Sequence, residues 1–414
     1  MKKSASTFIS NIFWRSTTLI GKFTFLLFLG REYDVDFVGQ YGLLYSFITI
    51  YVFIVGFEFA TYNSRRILTN KSTKKIESNI ADQIQLIPYL YLVFIPIFIT
   101  IYLFGAISYV ALILMILLVI TEHISQELMR LFISLKASTL SYIIGFIRSS
   151  SWCYIILLLY YVFGIKYNLE QIVLIWSLFS IGGIFYSIYI LNNVLGITLK
   201  IKLRSFKVNL FFIKKSLPFF FSGVVLKISE LGDRFIIDSI LGKSMVGVYF
   251  FYVTIASSVY LFVITGIGVI LGPKAISYFR QDYLSLYKKT LSSMYRYQFI
   301  AYAILSFILY ISFDYILLLM GKDLYVEYAG LMGLLLLSNL WLMFADIANI
   351  DYYVRDFDYH YLFIIIFYML MIVLLNMVFL PIYGIYGAAY SLLISNFSLY
   401  IIRVVGLNVF KFQN

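Results

Sequence analysis

The sequence predicts an all-α polytopic membrane protein of about twelve spanning helices in two related six-helix lobes, on three observations. Its 414 residues are 62% hydrophobic and only 13% charged, with mean hydropathy +0.92, where an ordinary soluble domain has about 25% charged residues. Long apolar runs recur at the length of about 20 residues that a bilayer crossing needs. The first and seventh of these runs share one pattern of polar residues, half a chain apart.

Taken in order, the runs place spans at 8–29, 37–60, 83–104, 107–133, 139–163, 169–193, 217–241, 246–272, 292–319, 328–350, 359–380 and 384–408. The opening Lys2-Lys3 pair before an apolar stretch resembles the start of a signal peptide. Arg15 and Lys22 interrupt that stretch and no small-residue cleavage site follows, so it reads as a retained first helix. Pro88 and Pro96 predict a kink or an unwound turn in the third helix. Pro218 suits the first turn of the seventh, where its missing N–H is harmless. Pro273 and Pro381 read as exits or turns. The twelfth helix opens on the small residues of Gly384–Ser391, a signature of close helix packing. The organisation is therefore an N-terminal lobe over 1–193, a basic cytoplasmic linker over 194–216 and a C-terminal lobe over 217–414.

Loop charge sets the orientation. With both termini cytoplasmic, the outer loops hold only Arg31, Lys166, Lys243 and Lys322. Most other cations then fall on inner segments, the longest being 61–82 and 194–216, as the positive-inside rule requires. The formal net charge of +12 is largely this asymmetry together with attraction to anionic lipid headgroups. Its short, membrane-flanking segments are not a nucleic-acid footprint.

The seventh run carries Lys227, Glu230, Asp233, Arg234 and Asp238. Helical geometry keeps Lys227, Glu230, Arg234 and Asp238 within an arc of about 80°. An ionised group at mid-bilayer costs about 2.5–3.5 kcal/mol, so such a stripe faces a bundle interior or a watery cavity. An ion-pair ladder Glu230–Arg234–Asp238 is the structural explanation; it leaves Lys227 unaccounted for. In the first run Asn11, Arg15, Thr18 and Lys22 share a face with two cations and no acid. Laying Arg15 on Lys227 also lays Thr18 on Glu230, Lys22 on Arg234 and Gly30 on Gly242. Dropping four loop residues then brings Asp36–Tyr41 onto Ser244–Tyr249. Two fused copies of one unit follow, an arrangement in which transporters hold substrate between the repeats near mid-membrane.

Further intramembrane groups are Glu122, His123, Gln126, Glu127 and Arg130 in the fourth helix and Arg148 in the fifth. His123, Glu127 and Arg130 share a face, and a tight hairpin brings Glu122 or Glu127 to Arg148. A hairpin-locking salt bridge and a substrate or proton-relay role weigh equally there. Glu58, Arg296, Asp346 and Arg403 lie near inner helix ends and Asp314 near an outer one, where snorkelling to the interface explains them. Cys153 sits alone in an apolar run, so no disulfide forms, and His123 and His360 lack metal-ligand spacing. No phosphate-binding loop of the Walker type occurs. No loop is long enough for a soluble domain, and no nucleophile–base constellation is present.

The stretches Ile228–Tyr252, Gly268–Phe279 and Pro381–Ser395 resemble the polysaccharide-transporter branch of the multidrug/oligosaccharidyl-lipid/polysaccharide exporters, to which Wzx-type O-antigen flippases belong. Asp233–Arg234, followed by Gly242, Val246-Gly247 and Tyr249, is the most specific fragment. The resemblance implies two lobes around a central cavity with alternating access, in the bacterial cytoplasmic (inner) membrane. It implies a flippase, not an enzyme, that moves an undecaprenyl-diphosphate-linked oligosaccharide from the cytoplasmic to the periplasmic leaflet. A diphosphate needs fixed cations in a low-dielectric place. Arg15, Lys22, Lys227, Arg234 and Arg148 are the candidate cations. Glu230, Asp233, Asp238, Glu122 and Glu127 are candidates for charge balance or for binding a coupling proton or sodium ion. Expected partners are membrane lipids, the lipid-linked glycan, and a polysaccharide polymerase with its chain-length proteins; the protein is expected to be a monomer without cofactor, metal or nucleic acid. A drug antiporter of the same superfamily would export organic cations through a net acidic cavity, against which the basic face of the first helix argues. Flippases for capsular, teichoic or exopolysaccharide precursors are not separable from the O-antigen reading by sequence.

Overall fold

The computed structural model describes residues 2–69, 72–103, 108–198 and 206–411, which form helices and short connections with no strand among them. The elements are α1 (Lys2–Glu32), α2 (Val35–Gly56), α3 (Phe59–Thr69), α4 (Thr73–Leu103), α5 (Tyr109–Ser134), α6 (Ser138–Ser149), α7 (Ser151–Phe163) and α8 (Leu169–Asn193). They continue with α9 (Phe206–Leu231), α10 (Asp233–Leu241), α11 (Lys243–Val263), a π-helical stretch over Ile264–Gly268 and α12 (Val269–Arg280). Last come α13 (Leu284–Met320), α14 (Asp323–Glu327), α15 (Leu331–Val354), α16 (Asp358–Tyr383) and α17 (Ile385–Lys411). The side chains of Lys2, Lys3 and Pro218, and residues 199–205 of the basic linker, lie outside the described residues.

Among the described residues nine helices are long and apolar enough to cross a membrane, and α6 with α7, bent by 42°, makes a tenth span. The two remaining expected spans fall on α4 and on α9 with α10, the charged segment. About twelve crossings therefore fit the helices observed. Several local expectations are corrected. Segment 61–82 is mostly helix, because the second span ends at Gly56 and α3 resumes at Phe59. α4 runs unbroken through Pro88 and Pro96, with no unwound turn. α9 starts at Phe206, so Pro218 lies well inside it instead of in its first turn. Pro273 does not end its helix: the chain widens to the π turn just before it and continues as α12. Pro381 sits in the last turn of α16. A proline lacks the N–H for its turn and crowds the preceding carbonyl, which in α12 is the carbonyl of Val269, just after the π stretch.

The chain divides into two compact units, Met1–Phe25 with Tyr45–Lys227 and Leu26–Leu44 with Ile228–Asn414. The division falls at Lys227, and the tip of the α1–α2 hairpin, Leu26–Leu44, belongs to the second unit. In the first unit Ile67, Ile80, Leu131, Phe132, Ile144 and Leu191 bring α3, α4, α5, α6 and α8 together. A second cluster sets Phe57, Phe59, Leu86 and Leu90 against Phe212 of α9. In the second unit Tyr249, Phe251 and Tyr252 of α11 are fully buried, and Tyr252 donates to the Tyr325 carbonyl at 2.6 Å.

In the second unit the start of α2 crosses the start of α11 at close range. A Cβ on Gly39 would stand 2.0 Å from the Lys243 carbonyl oxygen, and one on Gly247 would stand 2.2 Å from the Val35 carbonyl oxygen. Ser244 Oγ donates to the Asp36 carboxylate at the same crossing. The contact is reciprocal: residues matched by the sequence repeat, Gly39 with Gly247 and Asp36 with Ser244, face one another. Any side chain at either glycine meets backbone, which cannot rotate away.

Overpacking costs about 1–3 kcal/mol in ordinary cores, and here the obstacle is main chain. Gly39→Val and Gly247→Val are expected to lower the melting temperature of the detergent-solubilised protein sharply. Gly266→Ala, with no atom within 4 Å of the added carbon, is expected to melt no lower than wild type.

Candidate functional site

The polar face of α1 turns toward α6. Asn11 Nδ2 donates to Ser138 Oγ at 3.0 Å, and its Oδ1 accepts from Thr139 Oγ1 at 2.8 Å. One helical turn on, Arg15 donates to the Tyr142 hydroxyl at 3.3 Å with its guanidinium 5.5 Å from the ring centre. Thr18 bonds back to the Trp14 carbonyl, and Lys22 Nζ stands 6.0 Å over Tyr45. Both cations are half-buried. Among the described residues no carboxylate lies within 4.0 Å of Arg15 or Lys22. A ring face offers a cation about 0.5–1 kcal/mol at exposed sites and about 2 when desolvated. It stabilises the charge without cancelling it.

Arg148, at the end of α6, is held differently. Its Nη1 lies 3.7 Å from Glu122 Oε2 and donates to Gln126 Oε1 at 3.1 Å. Glu122 is buried and also accepts from Trp176 Nε1 at 2.9 Å and Ser180 Oγ at 2.6 Å, both on α8. Of the two acids expected to reach Arg148, Glu122 is the one that does. Glu127 points elsewhere, into a cluster at the α2–α3 junction.

There Phe57 and Glu58 both adopt positive φ, 50° and 49°, a conformation costly for residues with a Cβ. Phe57 stacks on Phe220 of α9 at 4.2 Å. Glu58, 7% exposed, receives Arg130 Nη2 at 2.9 Å and Thr61 Oγ1 at 2.6 Å. Glu58 therefore does not snorkel; it is an interior acid paired with α5. Arg130 also lies 3.7 Å from Glu127, whose other oxygen accepts from Gln83 of α4. The Phe53 ring carries two cations, Arg130 and Lys227, each 5.2 Å from its centre. Glu58 is the residue that sequence reasoning missed, because its partner is 72 positions away and no local spacing marks it.

In the second unit the charged segment is split at Gly232, where a Cβ would come within 2.5 Å of the Ile228 carbonyl oxygen. Beyond the break Asp233 and Arg234 are buried. The Asp233 carboxylate accepts from the Arg234 backbone N–H at 2.9 Å and from the Tyr249 hydroxyl, and the Arg234 guanidinium stands 5.2 Å over Phe250. Glu230 is exposed and Asp238 half-buried, so the expected stripe does not share one environment. Arg403 is 2% exposed and donates to the Ala345 carbonyl at 2.7 Å and to Asp346 at 3.4 Å; Tyr260 donates to the same carboxylate. Arg403, like Glu58, is therefore interior and does not snorkel, whereas the Asp346 side chain keeps 39% of its surface exposed. Arg296 and Asp314 are exposed. Among the described residues no three His, Cys, Asp or Glu side chains form a metal site.

Removing one partner of a buried ion pair costs about 3–5 kcal/mol, whereas replacing both with apolar groups is often neutral. Arg148→Met is therefore expected to lower the melting temperature in detergent strongly, and Arg148→Met with Glu122→Leu to recover part of the loss. Equal melting of the single and double variants would show that Glu122 does not depend on Arg148.

No family model matches the sequence, and no curated protein matches it. Solved structures do. An inward-facing multidrug resistance MATE family transporter of the MOP superfamily superposes with TM-score 0.73 at 12% identity, covering 94% of this chain and 93% of that one. An outward-facing structure of such a transporter gives 0.63 at 13%, covering 96% and 94%. The lipid II flippase MurJ in its inward closed conformation gives 0.70 at 15%, covering 98% and 87%. These neighbours are transporters and flippases, not enzymes. The likeness bears on the superfamily-level resemblance and not on the O-antigen branch: the chain has the fold of the MOP-superfamily exporters.

Proposed function

We propose that the protein is a multipass flippase of the bacterial cytoplasmic membrane that carries a lipid-diphosphate-linked oligosaccharide, of the O-antigen type or a related surface glycan, to the outer leaflet. The observation that carries this reading is the state of Arg15 and Lys22, half-buried on α1, each over a tyrosine ring and with no acid beside it. Such cations keep their charge for an anion. Arg suits bidentate phosphate contact and Lys a point-charge contact. Lys227 stands over the Phe53 ring in the same unit and is a further candidate cation. Arg148 and Arg234, each beside an acid of its own unit, fit a positioning role.

The fold is equally that of multidrug transporters, so the rival is an organic-cation antiporter. Such a cargo needs an available carboxylate. The buried Glu58, Glu122, Glu127 and Asp233 already accept from the donors described above, so a buried carboxylate for such a cargo is not on offer there, which favours the anionic cargo.

A charge-assisted contact contributes about 1.5–3 kcal/mol, and about 1.4 kcal/mol is a factor of ten. In proteoliposomes, Lys22→Ala and Lys227→Ala are each expected to slow translocation of an undecaprenyl-diphosphate oligosaccharide about tenfold or more, with normal insertion. Wild-type rates in both variants, or ethidium efflux by a wild-type protein that leaves the glycan lipid in place, would overturn the reading.

A further inference from the structure

In the second unit α13 runs for 37 residues. At 1.5 Å per residue it is about 55 Å long, well beyond a hydrocarbon core of about 30 Å. Its charges mark the part that crosses. Lys288, Lys289 and Arg296 come first, no charged residue occurs from Tyr297 to Phe313, and Asp314 follows. That uncharged run is as long as the shorter bilayer crossings, and Ile304, Phe307, Ile308 and Ile311 are exposed along it. A watery cavity would be lined by polar groups, so this apolar face meets lipid. With the orientation that loop charge sets, Arg296 stands at the headgroup level of the cytoplasmic leaflet.

Arg296 is exposed and held by a tyrosine alone. Its Nη2 donates to the Tyr297 hydroxyl at 3.2 Å, and its guanidinium lies 5.0 Å from the centre of that ring. Lys289, also exposed, is seven residues earlier on the same face, about 10 Å along the axis toward the cytoplasm. The two long side chains can meet a phosphate between them. Among the described residues no carboxylate lies within 4.0 Å of either. The neighbouring helices supply none: Asp346 of α15 takes Arg403 and Tyr260, and Asp351 takes Arg355 and Tyr287. α11 and α12, which also pack on α13, contain no acid.

One turn beyond Arg296 the same surface opens into a groove between α13 and α15. Phe299, Ala303 and Ser306 face Leu336, Leu337 and Leu340 across a space of about 210 Å³. Phe299 and Leu337 remain 47% and 45% exposed, so the groove is open to the bilayer. At its floor the buried Tyr302 donates to the Leu336 carbonyl at 2.7 Å, which ties the helices together and satisfies the hydroxyl. Ala303, two turns from Arg296 on the same face, leaves the room that a larger side chain would fill. An unfilled gap forfeits dispersion contacts on every wall, and hydrocarbon is what lies outside this one.

We propose that this face of α13 binds one anionic phospholipid of the cytoplasmic leaflet, with its phosphate between Arg296 and Lys289 and an acyl chain in the groove beside Ala303. The charge is complementary, and Arg takes phosphate oxygens in a bidentate contact. The order is complementary too: from Lys289 through Arg296 to Ser306 the surface passes from basic to apolar, as a lipid passes from headgroup to chain. The site uses none of the cations assigned to the cargo, so it stands apart from the flippase reading.

Native mass spectrometry of the full-length protein in detergent tests the site, with phosphatidylglycerol and phosphatidylcholine of identical chains as probes. Each cation near a membrane surface adds about a factor of five for an anionic lipid. The wild type is therefore expected to hold its first phosphatidylglycerol at least about tenfold more tightly than phosphatidylcholine. Arg296→Ala with Lys289→Ala is expected to erase that preference. Lys74→Ala with Lys75→Ala, which removes the same charge from the other unit, is expected to keep it. Ala303→Phe is expected to weaken binding of both lipids, and Leu337→Phe serves if that variant does not fold. Three results would overturn the proposal: a preference that survives without Arg296 and Lys289, an equal loss in the Lys74 and Lys75 variant, or unchanged binding with the groove filled. Displacement by glycerol phosphate, which has the headgroup charge without a chain, would also sink it. So would tighter binding of undecaprenyl diphosphate at the same residues, which would give the surface to the cargo lipid.

Discussion

An ionised side chain inside hydrocarbon costs about 2.5–3.5 kcal/mol even on the lenient insertion scales, and that cost decides which way the helices of this protein face. Two solutions recur. In one, a guanidinium is surrounded by acids and amides, as with Arg148 between Glu122 and Gln126 or Arg403 beside Asp346. In the other, a cation lies over an aromatic ring, as with Arg15 on Tyr142, Lys22 on Tyr45 and Lys227 on Phe53. Both turn the polar face of a helix inward and leave its apolar faces, such as Leu92 and Val93 of α4 or Leu318 and Leu319 of α13, exposed for lipid.

The duplication visible in the sequence has a physical counterpart at the α2–α11 crossing. Matched residues meet there in a reciprocal contact, with each glycine against the other helix's carbonyl. The matched polar positions differ: Lys22 aligns with Arg234 and Thr18 with Glu230, so the matched face of the first run has no acid while that of the seventh has one.

Much of this was legible because it rests on local rules. Bilayer thickness fixes run length, and an antiparallel hairpin makes Glu122 and Arg148 neighbours. Three things were not legible. Glu58 sits at the end of an apolar run, where snorkelling is the ordinary outcome; only the fold brings Arg130 to it from α5. The prolines misled because a helix supported by neighbours tolerates them: Pro88 and Pro96 leave α4 continuous, and Pro273 lies inside α12. The stripe on the seventh run was expected to share one environment, but Glu230 is exposed while Asp233 and Arg234, beyond Gly232, are buried.

The two solutions to the burial cost are not equivalent for a visiting anion, and this is what divides the cations by role. To bind phosphate, Arg148 would have to release Glu122 into a buried setting, and stranding a charge there costs about 3–5 kcal/mol. A phosphate contact returns about 1.5–3 kcal/mol, so that exchange runs uphill. A cation leaving a ring gives up about 0.5–2 kcal/mol and strands nothing, so the same contact covers its loss. On the proposed reading, the cations suited to the anionic headgroup of the cargo are therefore the ring-held Arg15 and Lys22.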